Sequence, residues 1–197
     1  EVAHHGNGIS DVETRANHSF DPMIALHQIS TSLTEEKRAN PDGMLMSTIV
    51  NDKELNLSQA EINEFFVVFA MAGHETTRST SAHFLHLMEQ NPDQFEILMS
   101  DFDAHIDNAI NEVLRYTSTT TNFRRTAMAD TEIGGYPVKK GDKIYLGYAA
   151  ANRDPAVFEN PHKFDITRHN ASKHLAFGVG PHVCIGARLA RMQLRAI

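Results

Sequence analysis

Apolar residues fall at helical spacing between Asp21 and Arg38. Ile24, Leu26, Ile29 and Leu33 carry the pattern, and the charges Glu35, Glu36, Lys37 and Arg38 follow. This spacing predicts an amphipathic helix, ended by Asn40-Pro41-Asp42-Gly43. A short apolar run from Met44 to Val50 predicts a second helix, closed by the turn Asn51-Asp52-Lys53. Ser58-Gln59-Ala60-Glu61 then forms a capping box, in which serine and glutamate satisfy each other's free backbone N–H groups. From there Ile62, Phe65, Phe66, Phe69, Gly73, Thr76, Thr80, Phe84 and Leu87 recur every three or four positions, up to Asn91-Pro92. The prediction is one helix to about Gln90, roughly thirty residues long, well beyond the average for globular proteins. Two more helices are expected, at Asp93–Ser100 and at Asp103–Tyr116, the second buried through Ile106, Ile110, Val113 and Leu114. The pattern next shortens to strands at Asn122–Ala127, Thr131–Ile133, Tyr136–Val138 and Lys143–Tyr148, separated by the turns Gly134-Gly135 and Lys139–Asp142. A last helix starts near Ile185 and is expected to carry Leu189 and Met192 inward. The fold class is therefore mainly α with small antiparallel β-sheets. Residues 1–20 are polar and lack periodicity, which predicts a loop, with His4-His5 a solvated pair rather than a metal site.

Length and charge narrow the function. A chain of 197 residues can bury one sizeable core. Its net charge of −7 argues against nucleic acid as a partner, because phosphate binding needs basic clusters. No apolar run approaches the roughly 18 residues that span a bilayer, and a cytoplasmic protein is expected. Both ends look cut: the chain starts at Glu1 and stops at Ile197 inside an apparent helix.

The chemistry-bearing residues cluster in three places. Cys184 is the single cysteine, so neither an internal disulfide nor a thiolate-rich zinc site is available. Gly178, Gly180 and Gly186 bracket it and Pro181 stiffens the loop between them. Glycines permit left-handed backbone and close approach of another group, and N–H groups around a sulfur would stabilise a thiolate. The second place is the middle of the long helix. Gly73 and Thr76 lie on one face, and Thr76 can bond back to the Ala72 carbonyl, which would open a notch. Close helix packing through small residues explains the same pattern. A zinc peptidase site at His74-Glu75 is excluded, since Arg78 stands where the second histidine is needed. The third is Glu112 and Arg115, three apart, as a surface pair worth roughly 0.2–0.5 kcal/mol.

Phe177-x-x-Gly180-x-His182-x-Cys184-x-Gly186 resembles the haem-binding loop of the cytochrome P450 family in its bacterial form. The resemblance implies the P450 fold and a haem b whose iron is held by Cys184. Phe177 would pack beside the sulfur, His182 would bond a propionate, and Gly178, Gly180 and Gly186 would shape the loop. Phe123-Arg124-Arg125-Thr126-Ala127 resembles the family strand that carries a propionate-binding arginine, which assigns that role to Arg125. Ala72-Gly73-x-Glu75-Thr76 resembles the oxygen-activation segment. It implies that Gly73 leaves room for dioxygen, that Thr76 donates a hydrogen bond to it, and that Glu75 relays protons. Glu112-x-x-Arg115 resembles the family's buried structural pair. Its usual third partner is the arginine of a Pro-x-Arg-Phe segment, but here that segment reads Pro161-His162-Lys163-Phe164. Lysine cannot make arginine's forked contacts, so the third member is unassigned. Ala151-Asn152-Arg153-Asp154-Pro155 and Phe164-Asp165 also match the bacterial branch.

The resemblance runs from about Asp21 to Ile197 and covers only the C-terminal half of the family, so residues 1–197 are expected to be the C-terminal part of a single catalytic domain. It implies a monooxygenase that takes dioxygen, and electrons from NAD(P)H through a ferredoxin and its reductase, to oxidise a small apolar substrate. Arg188, Arg191 and Arg195 share one helix face and would attract an acidic electron donor. Two other readings stand beside it. One is a peroxide-driven haem–thiolate oxidase. The other is a helical metal-binding or interaction module without haem chemistry, given twelve histidines and the i, i+3 pair His83 and His86.

Overall fold

The computed structural model describes residues 21–197, and the residues read as a polar loop with His4-His5 lie outside them. The described residues form two compact units, one up to Ala72 and one from Gly73.

In the first unit α1 spans Pro22–Ala39 and α2 spans Leu45–Asn51. Asp21 caps α1 by accepting from the Met23 N–H. The face that α1 buries matches the predicted apolar one only in part, with Leu26 and Leu33 half-buried. Ser30 and Thr34 are buried, while Ile24 and Ile29 are exposed. Polar contacts with the start of the long helix explain the rotation. Gln59 donates to Thr34 Oγ1 at 3.3 Å, and the Thr31 hydroxyl lies 3.4 Å from Asn63 Oδ1.

Helix α3 spans Gln59–Gln90 and its first turn holds the predicted capping box. The Ser58 N–H donates to Glu61 Oε2 at 2.8 Å and the Glu61 N–H to Ser58 Oγ at 3.3 Å. The helix continues through Gly73 and Thr76 without the predicted opening. Hydroxyls do bond back to the ladder one turn later, Thr80 to the Thr76 carbonyl at 2.8 Å and Ser81 to that of Thr77 at 2.9 Å. Long helices accommodate such bonds by bending rather than breaking.

The second unit adds α4 at Pro92–Ser100 and α5 at Phe102–Thr117. Its core joins Phe84 and Met88 of α3 to Leu98, Ile106, Ala109, Ile110, Val113 and Leu114, and to Phe164, Ile166 and Leu194. The four apolar residues predicted to be buried on α5 are all in it. Strands β1 (Asn122–Thr126) and β4 (Lys143–Gly147) pair antiparallel, as do β2 (Thr131–Ile133) and β3 (Tyr136–Val138). A short α6 at Tyr148–Ala151 follows β4 directly, and α7 spans Ala187–Arg195. On α7 Leu194 is the buried residue, whereas Leu189 and Met192 are exposed. The inward stripe is thus set by contact with α5, not by the first apolar residues after the cysteine.

Candidate functional site

Residues 174–186 build the cysteine loop. Its shape comes from three backbone bonds: Gly178 N–H to the Leu175 carbonyl at 2.8 Å, Val183 N–H to Gly180 at 3.0 Å, and Cys184 N–H to Phe177 at 2.8 Å. Gly178 and Gly180 adopt φ of +68° and +75°, conformations that L side chains rarely take. A methyl group on Gly178 would also press on the Tyr148 hydroxyl at 3.3 Å. The Cys184 thiol is exposed, and a methyl on Gly186 would sit 3.9 Å from its sulfur. Phe177 anchors the loop against the core, and Arg191 lies 5.2 Å over its ring. The predicted ring of N–H donors to the sulfur is not formed: the Cys184 N–H is turned to Phe177, and no other described group bonds the thiol.

Beneath the loop lies a buried charge cluster. Arg115 donates through Nε and Nη2 to both oxygens of Glu112, at 2.7 and 2.8 Å, and both side chains are fully buried. The pair is therefore internal, not the surface pair that spacing alone suggests. Its remaining donors reach the carbonyls of Asn152 and Pro161, each at 2.9 Å, and of Lys163 at 3.2 Å. The third member is Arg168, whose Nε lies 3.2 and 3.1 Å from the two Glu112 oxygens. Lys163 contributes its carbonyl to both arginines, while its own ammonium is exposed and faces Asp165 at 3.5 Å. The sequence held a signal for Arg168: an arginine three positions after Asp165, whose own N–H bonds Glu112 at 3.0 Å.

The predicted oxygen-activation residues Ala72, Gly73, Glu75 and Thr76 follow one another on α3. A methyl on Gly73 would meet no atom within 4 Å. Glu75 is bonded by Arg78 Nη2 at 2.8 Å and by the Ser79 hydroxyl at 3.0 Å. These bonds, from Arg78 first, hold its carboxyl below the ordinary range. Arg125 lies on β1 opposite Ile144; its side chain donates to the Arg124 carbonyl at 3.1 Å and, among the described residues, meets no carboxylate. Phe123, two residues earlier on the same strand face, packs on Tyr148 at 5.9 Å between ring centres. The Tyr148 hydroxyl in turn lies where a side chain on Gly178 would be, so the face of β1 that carries Arg125 is linked to the loop through this tyrosine. His182 closes a 3₁₀ turn, Gly180–His182, and is exposed.

These residues fit a haem. Val179, Val183 and Ile185 beside the exposed thiol are 67%, 54% and 83% exposed, an apolar surface that a flat macrocycle would cover. Among the described residues, Arg125 and His182 supply donors without acidic partners. Of the three arginines on α7, two are committed. Arg191 donates to Asn111 at 2.6 Å, and Arg195 pairs with Asp103 and Asp107. The predicted basic stripe is thus partly tied down: Arg195 is paired with carboxylates, and Arg191 keeps its charge but is held by the Asn111 amide. Among the described residues no group of three candidate ligands could hold a metal ion, and no helix is long and apolar enough to cross a membrane.

His174, at the loop's start, went unassigned. It is 8% exposed, its Nδ1 accepts from the Ala176 N–H at 3.1 Å, and Arg191 lies 3.5 Å from Nε2. Burial, then Arg191 and Arg115, push its pKa from 6.5 down to about 4. The fold therefore holds it neutral. Its stabilisation is complete above pH 6.5 and is lost as pH falls toward 4, on the order of 3 kcal/mol in all. In the full-length protein, His174→Asn keeps an acceptor for Ala176 but cannot titrate. Denaturant titrations of that variant should show a flatter fall in stability between about pH 6.5 and 5, above the carboxylate range. An unchanged slope would remove His174 as the cause.

A model of the cytochrome P450 family matches residues 3–197. The linalool 8-monooxygenase of Pseudomonas putida is 41% identical over 168 residues, which cover 84% of this chain and 41% of that protein. The steroid C26-monooxygenase of Mycolicibacterium smegmatis is 36% identical over 184 residues, 90% of this chain and 42% of its own. Among solved structures, a Mycobacterium marinum cytochrome P450 in complex with pseudoionone superposes with a TM-score of 0.85 at 41% identity, covering 88% of this chain and 42% of that one. The chain spans less than half the length of these relatives.

Proposed function

The chain belongs to the cytochrome P450 family, and from that membership we propose that it is the C-terminal part of a cytoplasmic haem–thiolate monooxygenase acting on a small apolar substrate. The observation that carries the reading is the exposed Cys184 thiol in a glycine-shaped loop, surrounded by uncovered apolar residues. Cys184 would hold the iron of a haem b, with Arg125 and His182 on its propionates. A haem so held supplies the redox chemistry of dioxygen. The chain's own residues contribute the rest. Gly73 leaves open space on α3, the Thr76 hydroxyl would direct protons, and the Glu75 carboxylate, once released from its bonds to Arg78 and Ser79, would relay them from solvent. Electrons would come from NAD(P)H through a ferredoxin and its reductase.

One assay tests the reading. The full-length protein, with a ferredoxin, its reductase and NAD(P)H, should oxidise a terpene or other apolar substrate only when dioxygen is present. Thr76→Ala should bind haem and consume NAD(P)H, while product per NAD(P)H falls several-fold and hydrogen peroxide rises. A general acid–base group contributes about 10²–10⁴-fold, so even partial misdirection of protons is visible. Turnover driven by hydrogen peroxide alone would favour the peroxide-driven oxidase. Full coupling in Thr76→Ala would reduce residues 72–76 to helix packing.

A further inference from the structure

We propose that Asn152 is the positioning residue that ties the Cys184 loop to the buried Glu112–Arg115–Arg168 cluster. Asn152 is fully buried at the end of α6 and uses every polar group it has. Its carbonyl accepts from Arg115 Nη1 at 2.9 Å. Its side-chain Oδ1 accepts from the Leu175 N–H at 2.7 Å, and Nδ2 donates to Ser118 Oγ at 2.9 Å. The backbone donor at Leu175 fixes which side-chain atom is oxygen. From Leu175 the connection continues through the loop's own bonds. The Leu175 carbonyl holds the Gly178 N–H at 2.8 Å, and the Phe177 carbonyl holds the Cys184 N–H at 2.8 Å. Asn152 joins the two, its backbone carbonyl bonding Arg115 of the cluster and its side chain bonding the first turn of the cysteine loop. The cluster is rigid because its charges are buried and multiply bonded. The loop has no regular secondary structure before its 3₁₀ turn. Asn152 therefore passes the cluster's fixed geometry to the loop, and through it to the sulfur.

This inference rests on reading Cys184 as the haem ligand. The test uses the full-length haem protein, reduced and treated with carbon monoxide, and follows the red-shifted Soret band of the thiolate adduct over time below the unfolding temperature. Asn152→Ala leaves the half-buried Leu175 N–H without its acceptor, and the band should decay about tenfold faster than in wild type. Ser118→Ala is the control. It orphans Nδ2, a more deeply buried group, yet leaves the Leu175 bond intact, so its band should decay within about twofold of wild type. Equal decay in both variants, each at the same distance below its own unfolding midpoint, would overturn the proposal and make Asn152 merely structural. If Asn152→Ala does not accumulate folded, Asn152→Asp decides. Its carboxylate keeps the acceptor for Leu175, so a wild-type decay rate supports the proposal and a tenfold faster one overturns it. A wild-type protein without the red-shifted band would instead overturn the ligand assignment beneath it.

Discussion

Arg115→Ala should cost about 3–5 kcal/mol and leave little or no folded, haem-binding protein, because it strands a buried carboxylate. Glu112 would keep Arg168, at 3.1–3.2 Å and off the ideal fork, and the Asp165 N–H at 3.0 Å, but lose its two bonds at 2.7 and 2.8 Å. The carbonyls of Asn152, Pro161 and Lys163 would lose donors at the same time. A whole domain is stable by only about 5–15 kcal/mol, so the loss is a large share. The assembled cluster is not for that reason a large net stabiliser, since burying the charges had its own cost. Lys163 serves through its backbone, so Lys163→Ala should change stability by no more than about 0.5 kcal/mol, as surface substitutions do. Arg168→Ala should cost well above that. Denaturant unfolding of the three full-length variants checks the order. Equal losses at positions 163 and 168 would return the third role to the lysine.

What the sequence made legible follows periodicity and local chemistry. The capping box at Ser58 and Glu61, the end of α3 before Pro92, and the buried side of α5 all depend on residues within one or two turns of each other. Contacts between distant segments were harder to read. Arg168 joins Glu112 from 56 positions away, and the chain reaches it by turning so that the Lys163 carbonyl, not its side chain, faces inward. Asn152 lay inside a recognised motif without a role, because its partners at Ser118 and Leu175 are brought together only by the fold. Helix α1 misled for a related reason. Its apolar spacing was real, but Gln59 and Asn63 offered partners to Thr34 and Thr31 and drew that polar face inward as well. On α7 the arginine stripe was legible as a pattern. Its meaning changed once Asp103, Asp107 and Asn111 of α5 were seen beside it.

The second large effect concerns Cys184. A thiolate ligand gives the reduced carbon monoxide adduct a red-shifted Soret band, because it pushes electron density to the iron. Cys184→Ser removes the sulfur while leaving the loop's three backbone bonds and the two left-handed glycines in place, since none uses the side chain. The variant should therefore fold, and any haem it retains should lack the red shift altogether. The decisive measurement is that spectrum on full-length wild type and Cys184→Ser side by side. A red-shifted band in wild type that is absent in the variant is the predicted result. A histidine-type spectrum in wild type, or the same spectrum in both proteins, would contradict the assignment of Cys184 as the haem ligand.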